Sequence, residues 1–176
     1  MKAVLLGSLE MLADTSDHWR KAFRQSFLDH GLQFEPRGAR PRRSRRDIQP
    51  RKSEAVSVDV VLRARNDHFG RALAEGPIRP RAGLTDLLDM MAMRGIALGL
   101  VATTPFDWSV SVFDGLGLEP ERFDAIVTET HILADKPAPD CYHLAAAMLA
   151  TAPEDCLAVE TGQAGVNAAR AARMQV

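Results

Sequence analysis

A chain of 176 residues and 19.3 kDa has room for one domain and at most a small inserted piece. With 46% hydrophobic residues it can build a core, which excludes a fully disordered chain, and two cysteines exclude a disulfide scaffold or a Cys-rich zinc module. The net charge of −1 conceals two unlike parts, because residues 37–52 set eight Arg and Lys against Asp47, a local +7 that leaves −8 for the remainder.

The chain opens on an apolar run at 2–6 of the kind a buried strand needs. It resembles the start of a signal peptide, but Glu10 and Asp14 interrupt it and no small-residue cleavage site follows. No apolar run reaches the roughly 18 residues a membrane span requires. The expectation is a cytoplasmic protein with reduced thiols and no membrane contact. Asp14-Thr15-Ser16 offers capping oxygens to a helix whose Trp19, Phe23 and Phe27 recur every four residues, and Gly31 stops it. From Phe34 to Pro50 three prolines stand amid arginines with little to bury, which predicts a mobile, solvated loop.

A second helical pattern, 56–73, carries Val60, Val61, Ala64, Phe69 and Leu73, and Gly76-Pro77 and Pro80 break it. Leu84, Leu87, Leu88 and Met91 mark a helix ended by Gly95. Strands are predicted at 96–101, 123–127 and 156–159, with helices at 106–116, 139–150 and 163–173. Strands alternating with helices imply a mostly parallel sheet with right-handed crossovers.

Ligands of such a sheet bind beyond the carboxyl ends of its strands. That directs attention to Gly7 to Glu10, Ala102 to Thr104 and Glu160 to Gly162. Lys136, in Lys136-Pro137-Ala138-Pro139-Asp140 ahead of a helix, could approach the same rim.

Three blocks in order carry a family likeness. They are Met1-Lys2-Ala3-Val4-Leu5-Leu6 with Leu12-Ala13-Asp14-Thr15, the Lys136 to Asp140 stretch, and Pro153-Glu154-Asp155-Cys156-Leu157-Ala158-Val159-Glu160 followed by Ala164-Gly165-Val166-Asn167-Ala168-Ala169-Arg170-Ala171-Ala172. Together they resemble the haloacid dehalogenase superfamily, in the branch of beta-phosphoglucomutase and the CbbY-like sugar-phosphate phosphatases. The likeness covers 1–32 and 78–174, and 52–76 more weakly. It implies an α/β, HAD-like Rossmannoid parallel sheet flanked by helices, with a small helical cap inserted after the first strand. Residues 1–14 and 78–176 would form the core, and 15–77 a reduced cap holding the arginine-rich segment 36–52.

The resemblance also implies a nucleophilic aspartate, a second acid/base aspartate two residues later, a phosphate-binding hydroxyl, a lysine and magnesium-binding acids. A carboxylate attacks phosphorus, a metal and an ammonium neutralise the developing charge, and an acid protonates the leaving oxygen. Carried over position by position, the nucleophile falls on Gly7, the acid/base group on Leu9 and the hydroxyl on Ala102, with Thr103 beside it. Of the acidic pair Glu160 remains and Thr161 replaces its neighbour, so Lys136 and Glu160 alone match. Loss of a nucleophile from a cooperating set costs on the order of 10⁶ in rate.

The leading expectation is therefore a catalytically degenerate, binding or regulatory protein with no resident cofactor. The alternative is a phosphatase or phosphomutase acting on small sugar phosphates, with magnesium if the family activity persists. Lys136 and Thr103 are the phosphate-binding candidates, and Lys136 is as readily explained as the partner of Glu160. Ser8 as a substitute nucleophile and Glu10 as a substitute acid compete with plainer readings, a small residue at a strand end and a solvated or capping carboxylate.

The five histidines show no metal-ligand spacing, and Cys141, Cys156 and the Trp19 series read as core. The 37–52 segment has three readings: a solvated loop, a contact for an anion or polyanion, and a docking segment for a protein partner. Relatives continue past the last helix into a further strand, so an edge left open there predicts association with itself or another chain.

Overall fold

The computed structural model describes residues 1–32 and 56–176, so the arginine-rich segment 36–52 and every expectation placed on it lie outside the described residues. The described residues form two compact units, one of Met1–Asp14 and Arg79–Val176, the other of Thr15–Ile78.

The first unit is a four-stranded parallel sheet in the order β3-β2-β1-β4. The strands are β1 (Ala3–Leu6), β2 (Ala97–Val101), β3 (Ala125–Val127) and β4 (Cys156–Val159). Leu5 sits opposite Gly99 of β2 and Ala158 of β4, which sets the register of the central strands. All four residues of β1 are buried, as a strand covered on both faces must be.

Two further helices, α1 (Ser16–Leu28) and α2 (Val58–Glu75), belong to the second unit. The first unit holds α3 (Leu84–Arg94), α4 (Phe106–Leu116), α5 (Asp140–Met148) and α6 (Gln163–Ala171). Gly95 and Gly117, both at φ 59°, end α3 and α4 in the left-handed conformation that glycine adopts without a Cβ penalty. Alternation along β1 sends Ala3 and Leu5 to one face of the sheet, where they meet Tyr142, Ala145 and Ala146 of α5 and Ala168 and Ala169 of α6. The small residues on these helices let them lie close against the strands.

Several boundaries differ from the sequence reading by one or two residues, and three of them have local reasons. The strand expected at 123–127 starts at Ala125, because Phe123 closes the turn at Pro120–Arg122 and the Asp124 carboxylate, not a backbone carbonyl, receives the Leu98 N–H at 2.8 Å. The helices expected to reach 150 and 173 stop at Met148 and Ala171, since Ala150 and Arg173 take positive φ values of 46° and 65°. Beyond α6, Gln175 forms a parallel bridge to Leu157 of β4, with its N–H donating to Cys156 O and its carbonyl receiving the Ala158 N–H.

In the second unit α1 and α2 pack side by side. Trp19 stacks on Phe69 with ring centroids 3.9 Å apart, and the Arg65 guanidinium lies 5.0 Å from the Trp19 and Phe23 ring centres. At the far end of α1, Asp29 accepts hydrogen bonds from Gln25 and His68, while Arg71 donates to the other ring nitrogen of His68. Ser57 caps α2 by accepting from the Asp59 N–H.

Candidate functional site

Parallel strands deliver their last residues to one rim, and the first unit brings most of the sequence candidates together there. Gly7 follows β1 with its N–H on Val159 O, Ala102 and Thr103 follow β2, and Glu160 follows β4. Lys136 comes from the loop ahead of α5, and α5 itself adds Tyr142, whose ring is completely buried.

At the centre is the Lys136 ammonium. It donates to Gly7 O at 2.6 Å, Glu160 Oε1 at 2.7 Å and Val101 O at 3.1 Å. An ammonium has three protons and no acceptor, so these three oxygens use its whole capacity. The pair is sheltered, with the Lys136 side chain 11% exposed and that of Glu160 4%. Its Nζ also lies 5.1 Å from the centre of the Tyr142 ring.

The Glu160 carboxylate gathers donors from three directions. Besides Lys136, Tyr142 Oη donates to Oε1 and the Thr161 N–H donates to Oε2 at 3.1 Å. Burial, then the hydrogen bond and charge of Glu160, push the Tyr142 phenol far above its ordinary pKa. The phenol is thus a fixed donor at neutral pH.

Of the four positions that the resemblance assigns to acids, Glu160 alone holds one, while Gly7, Leu9 and Thr161 hold none. Gly7 contributes a carbonyl, and Leu9 is buried in the turn Leu9–Met11 as an apolar side chain. Ala102 is buried; Thr103 beside it is half-buried. Thr161 donates from Oγ1 to Glu10 Oε2 at 3.3 Å and stands 3.4 Å from Ser8 Oγ, so Ser8, Glu10 and Thr161 form a loose, exposed polar trio at the mouth of the rim. Among the described residues the hydrogen-bond partner of Ser8 Oγ is a hydroxyl, not an imidazole or ammonium that could activate it.

Magnesium, implied by the resemblance, does not fit these residues. It wants one or two carboxylates in near-octahedral geometry, and the sheltered carboxylate here already accepts from Lys136, Tyr142 and the Thr161 amide, with the Lys136 ammonium standing against it where a cation would compete. Among the described residues no group of three or more His, Cys, Asp or Glu is placed to hold a metal ion. Cys141 and Cys156 are buried free thiols whose pKa values burial raises, which keeps them protonated and unreactive.

Sequence reasoning missed two members of the site. Tyr142 sits in an alanine-rich helix and nothing in its neighbourhood marks it. Gly165 lies in the first turns of α6, where its missing side chain leaves room for the Glu160 carboxylate. A glycine inside a helix is unfavourable by about 1 kcal/mol, and that was the available signal.

The model of the haloacid dehalogenase-like hydrolases matches residues 7–173, nearly the whole chain. The chain belongs to the haloacid dehalogenase-like hydrolase family. Within it the similarity lies with the CbbY and beta-phosphoglucomutase branch: Protein CbbY of Cereibacter sphaeroides is 27% identical over 190 residues, covering 99% of this chain and 82% of that protein. Fructose-1-phosphate phosphatase YqaB of Escherichia coli is 25% identical over 169 residues, covering 93% and 88%. The crystal structure of CbbY from Rhodobacter sphaeroides in complex with phosphate superposes with a TM-score of 0.75 at 24% identity, covering 99% of this chain and 84% of that one. That likeness establishes the HAD-type Rossmannoid fold. Among the described residues no helix is long and apolar enough to cross a membrane.

Proposed function

We propose that this HAD-like protein does not turn over phosphate esters and acts instead by binding, as a regulatory or scaffolding member of its family. One observation carries the reading: the three protons of Lys136 are committed to Gly7 O, Val101 O and Glu160, so the ammonium at the centre of the rim is already occupied within the chain. Gly7, Leu9 and Thr161 supply neither a nucleophile, nor an acid, nor a metal ligand of carboxylate type. Association with a second copy or another chain belongs to the same reading, and a single monomeric species in sedimentation, with no partner recovered, would count against that part of it.

The second reading is a magnesium-dependent phosphatase or phosphomutase on small sugar phosphates, and what favours it is similarity to the named enzymes along nearly the full chain. A panel of sugar-phosphate esters, assayed with and without magnesium, separates the two. The binding reading expects no turnover above that of the buffer. Turnover by the wild-type chain that Lys136→Ala abolishes would sink it.

A further inference from the structure

Glu160 is held by more than its partners. A Cβ built on Gly7 would fall closer than 3.0 Å to Glu160 Oε1 and Cδ and 2.6 Å from Tyr142 Oη. A Cβ on Gly165 would fall closer than 3.0 Å to Cδ and to both carboxylate oxygens of Glu160. In a close-packed interior such overlaps are not tolerated without movement. The carboxylate thus fills a space that exists because two positions, 158 residues apart in the chain, both lack a side chain.

We propose that Glu160 is a tethered internal ligand of Lys136, whose carboxylate fills the rim site and keeps external oxyanions away, in a cradle kept open by Gly7 and Gly165. The inference rests on the binding reading above and supplies the device that enforces it. Its logic is one of charge and capacity. A sheltered ammonium without a counter-ion would attract any small oxyanion that could reach it, and a carboxylate on the same chain competes at a high effective concentration. An incoming phosphoryl group would have to displace an anion that also holds the Tyr142 O–H and the Thr161 N–H. The buried, protonated phenol adds a donor that does not switch off near neutral pH.

The mutual exclusion of residue 7 and Glu160 can be read from stability. Gly7→Ala in the wild-type chain should lower the melting temperature, because the new methyl meets the carboxylate. In a Glu160→Asp background, where the carboxylate is withdrawn by one methylene, the same substitution should cost clearly less. Inorganic phosphate gives the second readout: calorimetry on the full chain should show no binding to wild type and at least about tenfold tighter binding to Glu160→Ala, a difference of about 1.4 kcal/mol.

Equal binding of phosphate by both proteins, or none by a folded Glu160→Ala, overturns the proposal. If Glu160→Ala does not fold, the stability cycle decides: equal damage from Gly7→Ala in both backgrounds overturns it, and reduced damage supports it. Ester turnover by the wild type would overturn the binding reading and is measured separately, so the two failures are told apart.

Discussion

Removing one oxygen atom from the rim tests its energetics directly. Tyr142→Phe deletes the O–H that donates to Glu160 and leaves the fully buried ring in place. A hydrogen bond to a charged group contributes about 1.5–3 kcal/mol, and because Lys136 and the Thr161 amide still hold the carboxylate, the lower end, about 1.5 kcal/mol, applies. For a chain of this size that corresponds to a fall of about 3–6 °C in melting temperature.

The pH dependence sharpens the test. Burial first, and Glu160 second, raise the phenol's pKa well above its ordinary value of about 10, so the folded chain keeps a proton that the unfolded chain releases. The contribution to stability is therefore complete below about pH 10 and declines above it, by at most about 1.4 kcal/mol per pH unit. Tyr142→Phe lacks that decline, so the gap between variant and wild type should close as the solution becomes alkaline. Because Tyr142 is the single tyrosine of the chain, tyrosinate absorbance reports this group alone. It should stay silent in the folded protein and appear together with unfolding. Smooth ionisation at an ordinary phenol midpoint, with the far-ultraviolet circular dichroism still native, would refute the reasoning.

Gly165→Ala should destabilise by about 1–3 kcal/mol, because its methyl falls on the Glu160 carboxylate. Helix propensity alone expects the opposite sign, a gain of about 1 kcal/mol, so urea denaturation distinguishes packing from propensity. In the helical unit, hydrogen bonds from Gln25 and His68 hold the Asp29 carboxyl below its usual pKa; the stability this confers is present above the ordinary carboxylate range and is lost as pH falls through the folded value. Asp29→Asn should consequently flatten the acid limb of the stability profile, as followed by the urea midpoint between neutral and acid pH. Adding magnesium, or a chelator, should leave the melting temperature of the wild-type chain unchanged; a rise with magnesium would show a cation site that these residues do not suggest.

What the sequence made legible follows from where each signal lives. The strand at Cys156–Val159 and the helix at Phe106–Leu116 coincide with their expected bounds because an apolar run and a regular apolar spacing, each followed by a clear stop, are local properties. The ends of α5 and α6 are less legible, since Ala150 and Arg173 adopt positive φ where neither residue type announces it. At the rim, Lys136 and Glu160 could be named from the family likeness. Their pairing is one of the two readings the sequence leaves open for Lys136, and the structure shows it; that Tyr142 joins them as a third partner depends on α5 and β4 bringing together residues 18 positions apart. Gly7 was readable as a lost acid but not as space taken by another residue's carboxylate, because that space is defined jointly with Gly165.

The aromatic stack of the helical unit has a practical corollary. The chain has two tryptophans, and the division into units gives one to each: Trp19, lying on Phe69, to the helical pair, and Trp108 on α4 to the sheet. Replacing either indole by Phe would leave a protein with one fluorophore in a known unit. Comparing the two fluorescence melts with the tyrosinate signal of Tyr142 would reveal whether the helical pair opens before the sheet or the whole chain melts in a single cooperative step.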